Sequence, residues 1–163
     1  MMGGVDREVR LARLTPSRKR LRPGDVFCVL PADGRYVFGR VIDVDLPYPP
    51  APAPGANLVY VYDVRADSKT PSPRDVLTPD RLLIGPVFIN RLGWSRGFIE
   101  TVDHYELEPD DRLAQHCFHD FYLGFVAERG EPLPGPVEPC GTWGLASYLA
   151  LDKEIHEALG MLA

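Results

Sequence analysis

RPGDVFCVLPADGRYVFGRVIDVD, residues 22–45, decides how the rest of the chain is read. Val26, Phe27, Cys28, Val29 and Leu30 form an almost unbroken apolar run, which predicts a strand over 25–30 covered on both faces. PADG follows, and Asp33 and Gly34 accept the backbone angles of a tight reversal. Residues 35–45 then alternate. Tyr36, Phe38, Arg40, Ile42 and Val44 fall on one face, and Val37, Gly39, Val41, Asp43 and Asp45 on the other. Gly39, inside so long a strand, marks a bend or a close backbone approach. The stretch reads as an antiparallel hairpin.

Working outward, LPYPPAPAPG excludes helix and ladder pairing through Pro47, Pro49, Pro50, Pro52 and Pro54, and predicts an exposed, stiff, extended loop. Residues 57–66, rich in Val and Tyr, predict a third strand. A polar loop, DSKTPSPRD, separates it from one or two short strands in 80–90, interrupted at Gly85-Pro86. Further strands are expected at 98–107 and, as the last, at 121–126; RGEPLPGPVEPCG is irregular. In the tail, Tyr148, Leu151, Ile155, Leu159 and Leu162 recur at helical spacing, leaving Asp152, Lys153, Glu154, His156 and Glu157 mainly toward solvent. The expected fold is mostly β (α+β), a small antiparallel barrel or strongly curved sheet with one C-terminal helix.

The 163 residues suit one domain, and 45% hydrophobic with 25% charged content is ordinary for a globular chain. Charge is uneven. Arg7, Arg10, Arg13, Arg18, Lys19, Arg20 and Arg22 face only Asp6 and Glu8 in the first 22 residues, so 1–22 reads as a basic, solvated arm and 23–163 as the domain. From Pro23 onward 11 basic residues meet 21 acidic ones. A body that acidic repels nucleic acid and attracts a basic partner. No apolar run is long enough for a bilayer and the N-terminus has no apolar signal core, so a cytoplasmic location is expected. Cys28, Cys117 and Cys140 are odd in number and far apart, and read as reduced packing residues.

Chemistry-bearing patterns are sparse. HCFHD places His116, Cys117, His119 and Asp120 together, with His104 upstream. On a helix, His116 and His119 would share a face and could ligate zinc, but the paired motif of a zinc site is missing, and a polar helical turn or surface loop is the plainer reading. A Cys117–histidine nucleophile would need a nearby positive group. Phosphate-loop and nucleophile-elbow patterns are absent, and no cofactor or metal is expected. Arg40 and Asp63 would form a cross-strand ion pair if their strands are neighbours; otherwise one or both lie on a solvated face. In DHYELEPDD, Asp103, Glu106, Glu108, Asp110 and Asp111 concentrate five carboxylates around Tyr105. That suits either docking onto a basic protein or a solvated loop.

Gly24, Asp25 and Phe27 (Gly-Asp-x-Phe), then Asp33, Gly34, Tyr36, Gly39 and Arg40 (Asp-Gly-x-Tyr-x-x-Gly-Arg), resemble the pattern of the immunity protein 26 family. Tyr62, Asp63 and Arg65, and Gly93-Trp94, continue the likeness, which spans residues 20–125 and leaves the tail from Gly130 outside. The proline-rich insert after Asp45 departs from the family's compact pattern. The resemblance implies a bacterial protein, encoded beside a polymorphic toxin, that binds and neutralises that toxin without catalysis. It also implies that the matched residues, Asp63 and Trp94 included, serve as scaffold.

The partner expected on that basis is a cognate toxin, for instance a nuclease whose basic cleft an acidic inhibitor would plug, with Asp103, Tyr105, Glu106, Glu108, Asp110 and Asp111 as contacts. Two rivals stand beside it. A small-barrel endoribonuclease toxin shares the hairpin but needs a positive RNA groove plus acid–base residues, against which the acidic body argues. A noncatalytic small-barrel module for nucleic acid or peptide would use the basic arm and the Tyr-rich strand.

Overall fold

The hairpin forms as read. A computed structural model, which describes residues 9–71 and 73–162, pairs β1 (Asp25–Val29) with β2 (Tyr36–Leu46) through Val26↔Arg40 and Cys28↔Phe38. Gly34 takes the positive φ of 81° at the reversal, and its N–H donates to the Pro31 carbonyl at 3.0 Å. Every residue of β1 is buried, because apolar layers lie on both sides of it. Arg7, Asp6 and Glu8, counted with the basic arm, lie outside the described residues.

β3 (Ala56–Ala66) returns alongside β2, followed by β4 (Val87–Ile89), the single-turn helix α1 (Leu92–Ser95) and β5 (Glu100–His104). After them come β6 (Cys117–Asp120), β7 (Gly124–Val126), β8 (Cys140–Thr142), β9 (Leu145–Ala146) and helix α2 (Tyr148–Ala158). One sheet has six strands in the order β5-β1-β2-β3-β4-β9, and a second has three in the order β7-β6-β8. The fold is mostly β with helical cover, but the larger sheet is open, with β5 and β9 as its edges, so no closed barrel forms.

Two cores flank the larger sheet. Phe27, Val29, Val37, Val41, Val59 and Val61 point into one, which Leu11 and Leu21 of the arm, Trp94, Ile99 and the Tyr148–Leu151–Ile155 stripe of α2 close. Val26, Cys28, Phe38, Ile42, Leu58, Tyr60 and Tyr62 point into the other, which Phe118 and Val126 of the smaller sheet close. Burying each such side chain contributes about 1.5–3 kcal/mol. The rings of Phe88, Phe118 and Trp143 meet at 4.5–6.0 Å and weld the sheets together.

Several expectations change. Strict alternation in β2 ends at a register shift between Val41 and Asp43, so Val44 packs with Val37 and Val41 rather than with Phe38. The proline-rich stretch is the β2–β3 connection, but it turns on itself instead of extending: the Ala51 N–H reaches the Pro47 carbonyl at 3.0 Å, and Ala51 is buried. Residues 117–126 hold two strands where one was expected at 121–126. Cys140 and Gly141, read as irregular, begin β8, which pairs in parallel with β6. The arm from Val9 onward is not a free leader, since the N–H groups of Ala12, Leu14 and Ser17 donate to the carbonyls of Leu30, Gly97 and Trp94.

The terminal helix carries Tyr148, Leu151 and Ile155 of its expected stripe, ends at Ala158 before Leu159 and Leu162, and is capped by Ser147, which accepts the Leu149 N–H. Asp152 and His156, expected toward solvent, are instead buried. Asp152 Oδ1 accepts the N–H groups of Arg10 and Leu11 at 2.8 and 2.7 Å, and His156 Nε2 accepts that of Ala32 at 3.1 Å. Buried polar side chains are retained where they satisfy backbone donors that would otherwise be orphaned.

Candidate interaction surface

Arg40 lies in the middle of β2 with its side chain fully buried. Its Nη1 stands 3.3 Å from Asp111 Oδ1, its Nη2 donates to the Tyr105 carbonyl, and its guanidinium lies 6.0 Å from the Tyr105 ring centre. Asp63, the other candidate partner, is exposed. A second guanidinium, Arg74, reaches the same carboxylate from the side, pairs with Glu108 at 3.1 Å and donates to the Glu106 carbonyl at 3.0 Å. Asp111 also accepts the Glu108 N–H at 2.7 Å. Burial pushes its carboxyl up, but that N–H and the two arginines outweigh the burial and hold it below the usual carboxylate range.

The acidic run is therefore wrapped around two arginines. Tyr105 and Leu107 pack inward against the second core, while Asp103, Glu106, Glu108 and Asp110 are exposed. Asp103, Glu106 and Asp110 form no ion pair among the described residues. Asp111 is a buried strut, and Tyr105 is half-buried. Asp103 itself sits on β5, an edge strand, where charge discourages unwanted strand pairing.

The hairpin residues build the floor beneath this run. Gly24, at φ 96°, accepts the Tyr105 N–H at 2.9 Å, and a Cβ there would stand 2.6 Å from the Tyr105 carbonyl oxygen. Asp25 is buried and takes His104 Nδ1 at 2.8 Å, tying β1 to β5. A Cβ on Gly39 would stand 2.2 Å from the Phe27 ring, which gives the close approach expected there. Trp94 packs edge-on against Phe27 at 5.5 Å and donates to Thr101. At the reversal, Asp33 accepts from Arg65 at 2.6 Å, and Tyr36 packs against the second core.

The HCFHD stretch runs into strand β6 rather than forming a helical turn or surface loop: His116, Cys117 and Phe118 are buried and His119 is exposed. No group of His, Cys, Asp and Glu among the described residues could hold a metal ion. Cys117 faces Cys140, not a histidine. His116 joins a buried relay in which the Leu113 N–H donates to the Tyr60 oxygen at 3.0 Å and the Tyr60 hydroxyl donates to His116 Nε2 at 2.6 Å. His116 Nδ1 lies 3.4 Å from Glu128. Burial pushes the Tyr60 hydroxyl up to about 12, so Tyr60 stays protonated near neutral pH and serves this relay as a hydrogen-bonding group.

The sequence reading missed one further surface. Phe121, Tyr122 and Leu123, 86%, 89% and 61% exposed, form the tip between β6 and β7. Asp120 Oδ2 accepts the N–H groups of Tyr122 and Leu123, both at 2.8 Å, and Gly124 reverses the chain at φ 79°. The Asp at the start and the Gly after FYL are turn residues, a signal that the apolar run concealed.

A family model described as Immunity protein 26 matches residues 22–122. The chain belongs to that family. The match takes in the hairpin, the acidic run and the first two residues of the tip, and leaves β7, β8, β9 and α2 beyond it. No curated protein and no solved structure matches the chain. No helix among the described residues is long and apolar enough to cross a membrane.

Proposed function

We propose that this member of the immunity protein 26 family neutralises a cognate toxin in the cytoplasm by covering its active or substrate-binding surface, and that it does so without catalysis. Family membership carries the reading. The geometry supports the choice of face. Asp103, Glu106 and Asp110 are exposed carboxylates on a segment that Arg40 and Arg74 hold in one conformation, so little ordering entropy is lost on docking. Negative charge of that density speeds encounter with a basic cleft, such as that of a nuclease. The apolar tip 121–123, presented on a capped turn, suits a second contact, because exposed aromatics anchor protein interfaces.

The test is co-expression with the toxin encoded beside it. The native chain should restore growth and bind the toxin. Replacing Asp103, Glu106 and Asp110 together with lysine should lower the association rate by roughly tenfold or more while leaving the melting temperature unchanged. If the native chain neither binds nor protects, the reading falls; if the triple variant associates normally, this face is not the contact. A salt titration against single-stranded RNA tests the rivals. Two clefts lined by Arg20 and Arg22, one of them also by Lys19 and the other by Arg91, are where nucleic acid would sit, and RNA affinity that survives moderate salt, or RNA cleavage, would replace the inhibitor reading.

A further inference from the structure

Cys117 and Cys140 stand directly opposite each other in the parallel β6–β8 ladder, with their sulfurs 3.0 Å apart. Adjacent strands run about 4.8 Å apart, inside the window of roughly 4.4–6.8 Å between Cα atoms that a disulfide spans. The two thiols thus already occupy positions from which a bond forms by side-chain rotation, without moving the backbone. Nothing of this was visible in the sequence, where 22 residues separate the pair and no Cys-x-x-Cys spacing flags it.

We propose that Cys117 and Cys140 are a modification site, oxidised to an intramolecular disulfide by exchange with a small disulfide of the glutathione class. Cys140 is partly exposed and Cys117 is buried, which sets the order of events. The Cys140 thiolate attacks one sulfur of oxidised glutathione, forming a mixed disulfide and releasing one glutathione thiolate. The Cys117 thiolate then attacks the Cys140 sulfur, forming the Cys117–Cys140 bond and releasing the second glutathione thiolate. Two electrons pass from the protein to the small disulfide, and the two thiol protons end on the two glutathiones at neutral pH. The Val137 N–H donates to Cys117 Sγ at 3.3 Å, which fixes the position of the sulfur that performs the second step.

Burial and the neighbouring sulfur push the Cys140 thiol up to about 12, so exchange is slow at neutral pH and accelerates as pH rises. The bond would close a loop holding the exposed tip 121–123 and the proline-rich run after Arg129. It would also fasten β8, which lies against Gly85 and Pro86, the residues that lead into β4 of the larger sheet. Cys28 is buried in β1, apart from this pair, and serves as an internal control.

The full chain, purified reduced, is incubated with glutathione redox buffers, quenched with an alkylating reagent under denaturing conditions and digested with trypsin. The expected product is lighter by two hydrogens, alkylated only at Cys28, and yields peptide 113–129 linked to peptide 130–153. Its melting temperature rises by about 5–10 °C, and reductant reverses the rise. Cys140→Ser should abolish both the link and the shift, and Cys28→Ser should retain both. Oxidation that stops at a glutathione adduct on Cys140, or three alkylated thiols after equilibration in oxidised glutathione, would overturn the assignment.

Discussion

The two sheets are built on different terms. In the larger one, every residue of β1 and most of β2 and β3 are buried, and each face has its own core. In the smaller one only Cys117, Phe118 and Val126 are buried along the strands, and its outer face carries exposed His119 and Thr142. Phe118 and Val126 also belong to a core whose other members come mainly from the larger sheet. The small sheet therefore has no core of its own. Its stability is borrowed, and it should open at lower free energy than the framework it covers. The difference separates two tasks: one sheet holds the fold, and the other presents the least protected surface.

The sharpest way to break this contrast is at Arg40. Arg40→Met leaves the buried Asp111 carboxylate with Arg74 and the Glu108 N–H only, and frees the Tyr105 carbonyl. Removing one partner of a buried pair costs about 3–5 kcal/mol. Urea denaturation should show that loss, together with faster amide exchange in 105–111. A loss below about 1 kcal/mol, the size of an ordinary surface change, would mean that the acidic run is held by something other than the arginines.

Legibility in the sequence follows the same divide. The hairpin and β3 could be read because most of their residues' local pattern agreed with final burial: continuous apolar residues in β1, alternation up to Val41 in β2, β-branched and aromatic residues in β3. Val44 escaped because a bulge changes the face without changing the composition. β8 escaped because a three-residue parallel strand directly after Pro139 has no periodicity to detect, and its partner lies more than 20 residues away. Asp152 and His156 looked solvated since their type favours water; only the fold reveals the backbone N–H groups they satisfy. In the acidic run, charge marked the segment but not which carboxylate turns inward. Asp111 differs from Asp110 only by meeting Arg40 and Arg74, both distant in sequence.

A smaller effect is expected where the sheets are joined by the Tyr60–His116 hydrogen bond. Burial holds the His116 imidazole below its ordinary range, although Glu128 and Asp43 act to raise it and Arg112 acts with the burial. The folded state thus prefers neutral His116, while the unfolded chain takes up a proton below about pH 6.5. Between those two ranges the unfolded state binds more protons, so this contribution to stability is complete above about 6.5 and is lost as pH falls. Denaturation midpoints should drop from about pH 7.5 to about 5.5, with β6 and β7 amides losing protection before those of β1. His116→Gln should cost about 1 kcal/mol at neutral pH and flatten that part of the profile. An unchanged pH profile in the variant would show that His116 does not join the two sheets through its neutral form.

The least effect on folding is expected at the tip. Replacing Phe121, Tyr122 and Leu123 together with serine removes side chains that are already mostly in water, and leaves the Asp120 and Gly124 turn intact. Stability should change by no more than about 0.5 kcal/mol. Affinity for the toxin should nevertheless fall by at least tenfold, since desolvating an aromatic anchor in a partner pocket typically contributes about 2 kcal/mol or more. The two measurements test different halves of the contrast. A large drop in melting temperature would mean that the tip is part of the framework and not a presented surface. Unaltered affinity in a stable variant would confine recognition to the acidic edge, and the small sheet would then serve only to cover the second core.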